Sequence, residues 1–324
     1  MKTKLCIILF FFLAILGNLS CREPIDINIP ETQKKIVLNG FINPDSTIKI
    51  NLSESLSILE RDKDLKFLKT AVVKIYEDET YKETLQYDTN GYYIGTIYPQ
   101  IGKEYKVTAE YPPLDNVDAE TVLLKPPVIT EINSEPQFYS NVQTWYNSVT
   151  GEPFDTTIYE LEQLNVNLIL QDPPNEDNYY FLTFSAIIPQ YDYPPPDGNP
   201  VFTGEKMTYL DYNASNLNWE NNFYTRDLKG FVFSDNLFNG KNFTLNTTVY
   251  VNTESAPNKV YVGLHSVTED FYQYVISYSK YQDIEGNPFA EPVNIKTNIH
   301  HGFGFFSGYS TKKDSIIIDY SNVN

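Results

Sequence analysis

After Gly102-Lys103 the chain reads Glu104-Tyr-Lys-Val-Thr-Ala-Glu-Tyr111, with Tyr105, Val107, Ala109 and Tyr111 at every second position. Period two places side chains on one face of an extended strand, so the segment can bury one face and wet the other only as β structure. The same alternation recurs in Thr47–Leu52 through Ile48, Ile50 and Leu52, while Lys35–Ile42 and Tyr92–Ile97 are strand-like. Thr70–Glu77 passes through Asp78-Glu79 into Tyr81–Tyr87, the pattern of a hairpin, and Asn90-Gly91 marks a tight turn. Short strands recurring every eight to twelve residues or so, with turn residues between, indicate a sandwich. Residues 35–126 are therefore expected to form an Ig-like β-sandwich that ends near Lys125-Pro126-Pro127.

A mature chain of roughly 300 residues exceeds one comfortable hydrophobic core, so a second domain is expected over 127–324. It keeps the strand pattern with longer loops. Leu164–Gln171 and Tyr179–Ile188 read as strands paired across the turn Asp172–Asn178, and Phe243–Asn252 and Lys259–Val267 as two more. One amphipathic helix is predicted near 268–281. Ser266 and Glu269 have capping-box spacing, and Phe271, Tyr274, Val275 and Tyr278 recur at i, i+3, i+4 and i+7. It should end near Gln282, ahead of Gly286 and Pro288, with its aromatic stripe in the core. No repeat of propeller-blade or solenoid length is visible.

Residues 1–20 read as a lipoprotein signal peptide. Lys2 and Lys4 precede an unbroken apolar run, Leu5–Leu16, too short to span a bilayer comfortably. Gly17, Asn18 and Ser20 then lead to Cys21, the expected site of diacylglycerol attachment; Asn18 occupies the usual lipobox leucine position and Leu19 stands one place later. An ordinary cleaved secretory signal is the alternative. Cys6 leaves with the signal, so Cys21 has no disulfide partner within the chain, and acylation gives it a reason to exist. Several acyl chains on one residue exceed the threshold for stable membrane anchoring. Residues 21–34, polar and with two prolines, read as a tether.

Formal charge is −18, and loss of Lys2 and Lys4 takes it to −20. With no basic stripe, nucleic acid is excluded as a partner, because its binding needs Lys and Arg against phosphate. The acidity reads as a solubilising surface, with calcium or a cationic ligand as the rival explanation.

Chemistry-bearing constellations are few. His300-His301 are adjacent; on a strand they would point to opposite faces, and no metal-ligand spacing includes them or His265. Asp172, Glu176 and Asp177 share one loop, Asp115 and Asp118 another; both read as solvated turns without EF-hand spacing. No nucleophile motif or phosphate loop is present. Neither a catalytic residue, a metal nor a cofactor is expected. The better lead is aromatic: Tyr139, Trp145 and Tyr146 in the loop 137–155, and Tyr191, Tyr193 and Phe202 in the Pro-rich loop 190–206. Stiff loops bearing tyrosine suit recognition, although 26 tyrosines also populate sheet faces.

Three stretches carry a family resemblance. They are CREPIDINIPETQKKIVLNGFI (Cys21–Ile42), FSDNLFNGKNFTL (Phe233–Leu245), and residues 266–310, which contain Asn287-Pro-Phe-Ala-Glu-Pro292 and the Gly-aromatic run after it. Together the chain resembles the Bacteroidota outer-membrane lipoproteins known as domain-of-unknown-function family 4249. The resemblance implies an outer-membrane location, with periplasmic or surface face open, and partnership with a TonB-dependent receptor that imports glycans or peptides. It supplies no catalytic residue. The expected function is a non-catalytic accessory or ligand-binding partner in nutrient uptake. A surface hydrolase using a loop carboxylate pair and a structural or adhesion protein are the alternatives.

Overall fold

A computed structural model describes residues 33–57, 64–146, 150–192, 201–217, 223–225, 228–251, 257–287 and 289–319. The first part of the chain forms β1 (Ile36–Ile42), β2 (Lys49–Glu54), β3 (Val72–Glu77), β4 (Thr80–Thr84), β5 (Gln86–Tyr87), β6 (Tyr92–Ile94), β7 (Glu104–Glu110) and β8 (Val117–Val122). There follow β9 (Val128–Tyr146), β10 (Pro153–Gln171), β11 (Tyr179–Asp192), β12 (Val201–Tyr209), β13 (Tyr212–Ala214) and β14 (Phe223–Thr225). Then come β15 (Gly230–Ser234), β16 (Asn242–Tyr250), β17 (Lys259–Val267), the helix Glu269–Ile284 and β18 (Phe303–Ile317). The chain is mainly β with a single helix among the described residues, as the sequence predicts.

Ten strands make one sheet in the order β14-β15-β11-β17-β18-β1-β2-β6-β5, with β12 added alongside β11. Two four-stranded sheets, β4-β3-β7-β8 and β13-β16-β10-β9, pack on it. The first covers Ile36, Leu38, Ile50 and Leu52 with Val73, Ile75, Val107 and Ala109; the second covers Leu182, Phe184, Val260 and Val262 with Leu164, Val166, Leu168 and Leu245. The result is two sandwiches sharing one sheet. Each fully buried Leu, Ile or Phe in these layers contributes about 1.5–3 kcal/mol through lost water contact.

The large sheet runs through the expected boundary near residue 126, and the first core takes Ile299 and Phe306 from the C-terminal part of the chain. β18 bridges the two cores. Its first half, Phe303–Gly308, pairs in parallel with β1, and its second half, Tyr309–Ile317, pairs antiparallel with β17. Asn298 serves the first half from the other side: its Oδ1 accepts from Phe306 N (3.0 Å) and its Nδ2 donates to Phe306 O (2.7 Å), standing in for a strand.

Several local expectations are corrected. Leu164–Gln171 and Tyr179–Ile188 do not pair: β10 bonds to β9 and β16, and β11 to β12, β15 and β17. Their apolar faces meet across the second sandwich, so Asp172–Asn178 is an arch between sheets. Tyr81–Tyr87 is not one strand either. Buried Leu85 breaks it, sending β4 to β3 and β5 to β6 in the opposite layer. The Asp78-Glu79 turn holds both residues at positive φ (48° and 63°), and Asn90-Gly91 does the same (48° and 79°), the geometry that matches strand twist in tight hairpins. The helix cap is Thr268, whose Oγ1 accepts from Phe271 N; Ser266 is committed to β17. Phe271 and Val275 are buried and Tyr274 stacks on Phe305, so the aromatic stripe packs as expected.

The His300-His301 stretch lies outside the strand. His300 N donates to Asp118 O and its Nδ1 lies 3.0 Å from Asp118 Oδ2, while His301 turns the chain at φ 63° before β18 begins at Phe303. Burial raises the Asp118 carboxyl, but hydrogen bonds from His300 and Lys106 outweigh it and hold the group below its ordinary range.

Candidate functional site

The predicted aromatic contacts sit on ribbons, not loops. β10 bonds to β16 only from Gln163 onward, so Phe138–Tyr146 and Pro153–Leu161 run on as a two-stranded ribbon. Tyr139 and Trp145 are an even number of residues apart and share one face of it; Tyr146 is on the other. They are 54%, 50% and 71% exposed. Likewise β11 leaves its pairing with β17 at Ala186, and Ile187–Asp192 continue against β12 alone. Tyr191 and Phe202 are paired edge to face there, ring centroids 5.9 Å apart, and both are exposed. Tyr193 lies outside the described residues, as does Cys21.

Strand alternation builds a second feature that the sequence reading did not single out. On β17, Val260, Val262 and Leu264 fill the core, so Tyr261, Gly263, His265 and Val267 take the outer face of the large sheet. Register aligns His265 with Phe181 of β11 and Thr311 of β18, and Gly263 with Thr183. Gly263 keeps this face hollow: a Cβ there would lie 2.7 Å from Thr183 Oγ1 and 3.1 Å from His265 Nε2. The helix covers one end of the face through Phe271 and Val275 packed with Phe181, Val267 and Phe305. Beside it a cleft of about 270 Å³ remains, walled by Phe41, Phe181, Tyr209, Phe271 and Tyr309 with Thr183 and His265 on its floor.

The polar groups of the cleft are neutral. His265 Nδ1 is 2.7 Å from Thr311 Oγ1 and its Nε2 is 3.2 Å from Thr183 Oγ1, while Phe181 and Tyr309 pack against the ring. Burial, with Lys313 nearby, lowers its pKa from 6.5 to about 4. Tyr309 is raised by burial, and its hydroxyl accepts from Asn43 Nδ2 at 3.0 Å. Lys313 is itself paired with Asp45 at 2.6 Å. The imidazole is flanked by two threonine hydroxyls and no carboxylate, an arrangement that orients a neutral ring and does not stabilise an imidazolium.

The His265 shift has a measurable consequence. Between pH 6.5 and about 4 the unfolded chain binds a proton that the native site refuses, so this contribution to stability is complete above pH 6.5 and lost as pH falls toward 4. The loss amounts to about 3 kcal/mol at most. Urea midpoints across that range should fall more steeply for the wild type than for His265→Gln; parallel curves would contradict the assignment.

Of the loop carboxylates read as solvated turn residues, Asp118 and Asp172 have structural partners instead. Asp172 is buried and accepts from Tyr180 Oη (2.5 Å) and Gly240 N (2.8 Å). Asp235 is buried nearby, its carboxyl raised by burial and by the charges of Asp172 and Asp177, against hydrogen bonds from Asn178. Among the described residues no three His, Cys, Asp or Glu side chains are grouped to hold a metal ion. No described helix is long and apolar enough to cross a membrane.

Fold and surface together define a double β-sandwich with a shared sheet, exposed aromatic ribbons and an aromatic cleft on the sheet's outer face. The chain belongs to the family described as domain of unknown function DUF4249, whose model matches residues 22–315. No curated protein matches it in sequence. A crystal structure of a Corynebacterium diphtheriae protein described as membrane anchored is similar over 74% of this chain and 55% of that one. Identity there is 10% and the TM-score 0.21, too low to inform fold or function.

Proposed function

We propose that this chain is an outer-membrane lipoprotein, anchored through Cys21, that serves as a non-catalytic accessory to a TonB-dependent receptor in nutrient uptake. The observation that carries the reading is the exposure of Tyr139, Trp145, Tyr146, Tyr191 and Phe202 on two ribbons that run past their sheets. Large rings exposed on a β ribbon are of the kind that dominates binding energy when a partner covers them. Tyr193 follows the same ribbon in sequence and belongs to the proposed contact, whose counterpart is the receptor or the glycan or peptide it imports.

Affinity purification from outer membranes solubilised in mild detergent tests this. Wild-type protein should co-purify a TonB-dependent receptor, and the triple variant Tyr139→Ala, Trp145→Ala, Tyr146→Ala should lose at least nine-tenths of it, since each central aromatic anchor is worth about 1–2 kcal/mol or more. Cys21→Ser should move the protein from the membrane to the soluble fraction. Absence of any such receptor from the wild-type eluate would defeat the proposal.

A further inference from the structure

The cleft around His265 is separate from the ribbons and has its own chemistry. Its walls are rings, and its volume of about 270 Å³ falls just under the usual range for ligand pockets, roughly 300–1,000 Å³, which suits one ring more than an extended chain. Its polar edge is uncharged but capable of hydrogen bonding. Tyr309 Oη accepts from Asn43, and no described residue accepts the proton it carries. Thr183 has one proton, directed at Gly263 O (3.3 Å) or His265 Nε2 (3.2 Å), leaving its oxygen able to accept. Lys313 and Asp45 neutralise each other. A charged ligand would lose its hydration against aromatic walls with no counter-charge to replace it. A purely apolar ligand would leave the hydrogen-bonding capacity of the Tyr309 and Thr183 hydroxyls unused.

We infer that the cleft formed by Phe41, Phe181, Thr183, His265, Phe271 and Tyr309 is a binding site for a neutral phenol-type ring, whose hydroxyl can accept from Tyr309 or donate to Thr183. Stacked or edge-on rings fit the aromatic walls, and the glycine at 263 supplies the depth. Such a ring reaches the site either as a free small phenol or as the tyrosine side chain of a peptide.

The chain has three histidines, so imidazole proton–nitrogen signals in histidine-labelled full-length protein resolve this site from His300 and His301. Titration with p-cresol should move the His265 signals saturably and leave the other two in place. Toluene and tyramine should each bind at least fivefold more weakly. Tyr309→Phe should weaken p-cresol by roughly fivefold, the worth of one hydrogen bond, and leave toluene unchanged. Phe41→Ala should weaken both. N-acetyl-tyrosinamide distinguishes the sources: tighter binding than p-cresol indicates a peptide side chain, weaker binding a free phenol. The inference is overturned if p-cresol leaves His265 unmoved while the protein melts normally. It is equally overturned if all three histidines shift together, or if toluene or tyramine binds as well as p-cresol. Any of these failures would leave the receptor proposal standing, since that rests on other residues.

Discussion

Gly304→Ala is expected to lower stability by about 3–5 kcal/mol, near the upper end for a single substitution, and to lower soluble yield with it. Two causes add. Gly304 sits at φ +100°, a conformation that costs an L-residue roughly 1–3 kcal/mol. An added Cβ would also collide with the Leu38 carbonyl oxygen and lie 2.8 Å from the Leu38 carbonyl carbon. Leu38 is the register partner of Gly304, so relief requires β18 to move off β1 at the place where the two sandwiches are joined. Gly102→Ala is the control, because Gly102 has φ +82° but open space around it and should lose only the backbone part. Urea unfolding of both variants separates the contributions. Equal midpoints would show that the β1–β18 approach is not the constraint described.

Asp172→Ala should cost about 2–4 kcal/mol, because it leaves a buried phenol and a backbone N–H without an acceptor. Asp172 is 3% exposed at the start of the arch that carries the chain from one layer of the second sandwich to the other. Its carboxylate binds Tyr180 from the strand that follows and Gly240 from the loop before β16. Burial, with this hydrogen bond, raises the Tyr180 phenol, which keeps its proton and donates it to the Asp172 carboxyl. Tyr180→Phe should be milder, since Gly240 still satisfies one oxygen, and the double variant should cost less than the sum. Strict additivity in denaturant unfolding would mean that the pair does not act as a unit.

Strands were legible wherever one face is dry and the other wet. Glu104–Glu110, Lys49–Glu54 and Lys259–Val267 all keep the alternation, and the turn residues Asn90 and Gly91 declare their own backbone conformation. Pairing was not legible. Leu164–Gln171 and Tyr179–Ile188 carry matching apolar faces, which is equally the signature of hairpin partners and of strands packed across a core. Only the layer in which each finds its hydrogen bonds distinguishes the two. The aromatic residues 139, 145, 146, 191 and 202 were visible as a composition, but their placement on ribbons depends on where β16 and β17 stop pairing. The cleft went unread because His265 and Gly263 occupy the second face of a strand already explained by its first. An outer face bearing His and Gly between aromatic neighbours, where Lys or Glu would be ordinary, was the available signal.

By itself the sequence determined the mainly β class, the helix near residue 270, the turn positions and family membership, because period, turn chemistry and a continuous family match are local or linear properties. Tertiary structure alone decided that two cores share one sheet, that β18 joins β1 in parallel with β17 on its other flank, and that Phe41, Thr183, His265 and Tyr309 meet. Those outcomes depend on hydrogen bonds and packing between residues up to 268 positions apart in the chain, as in the Asp45–Lys313 pair. Alternation says which face of a strand is buried, and it cannot say what buries it.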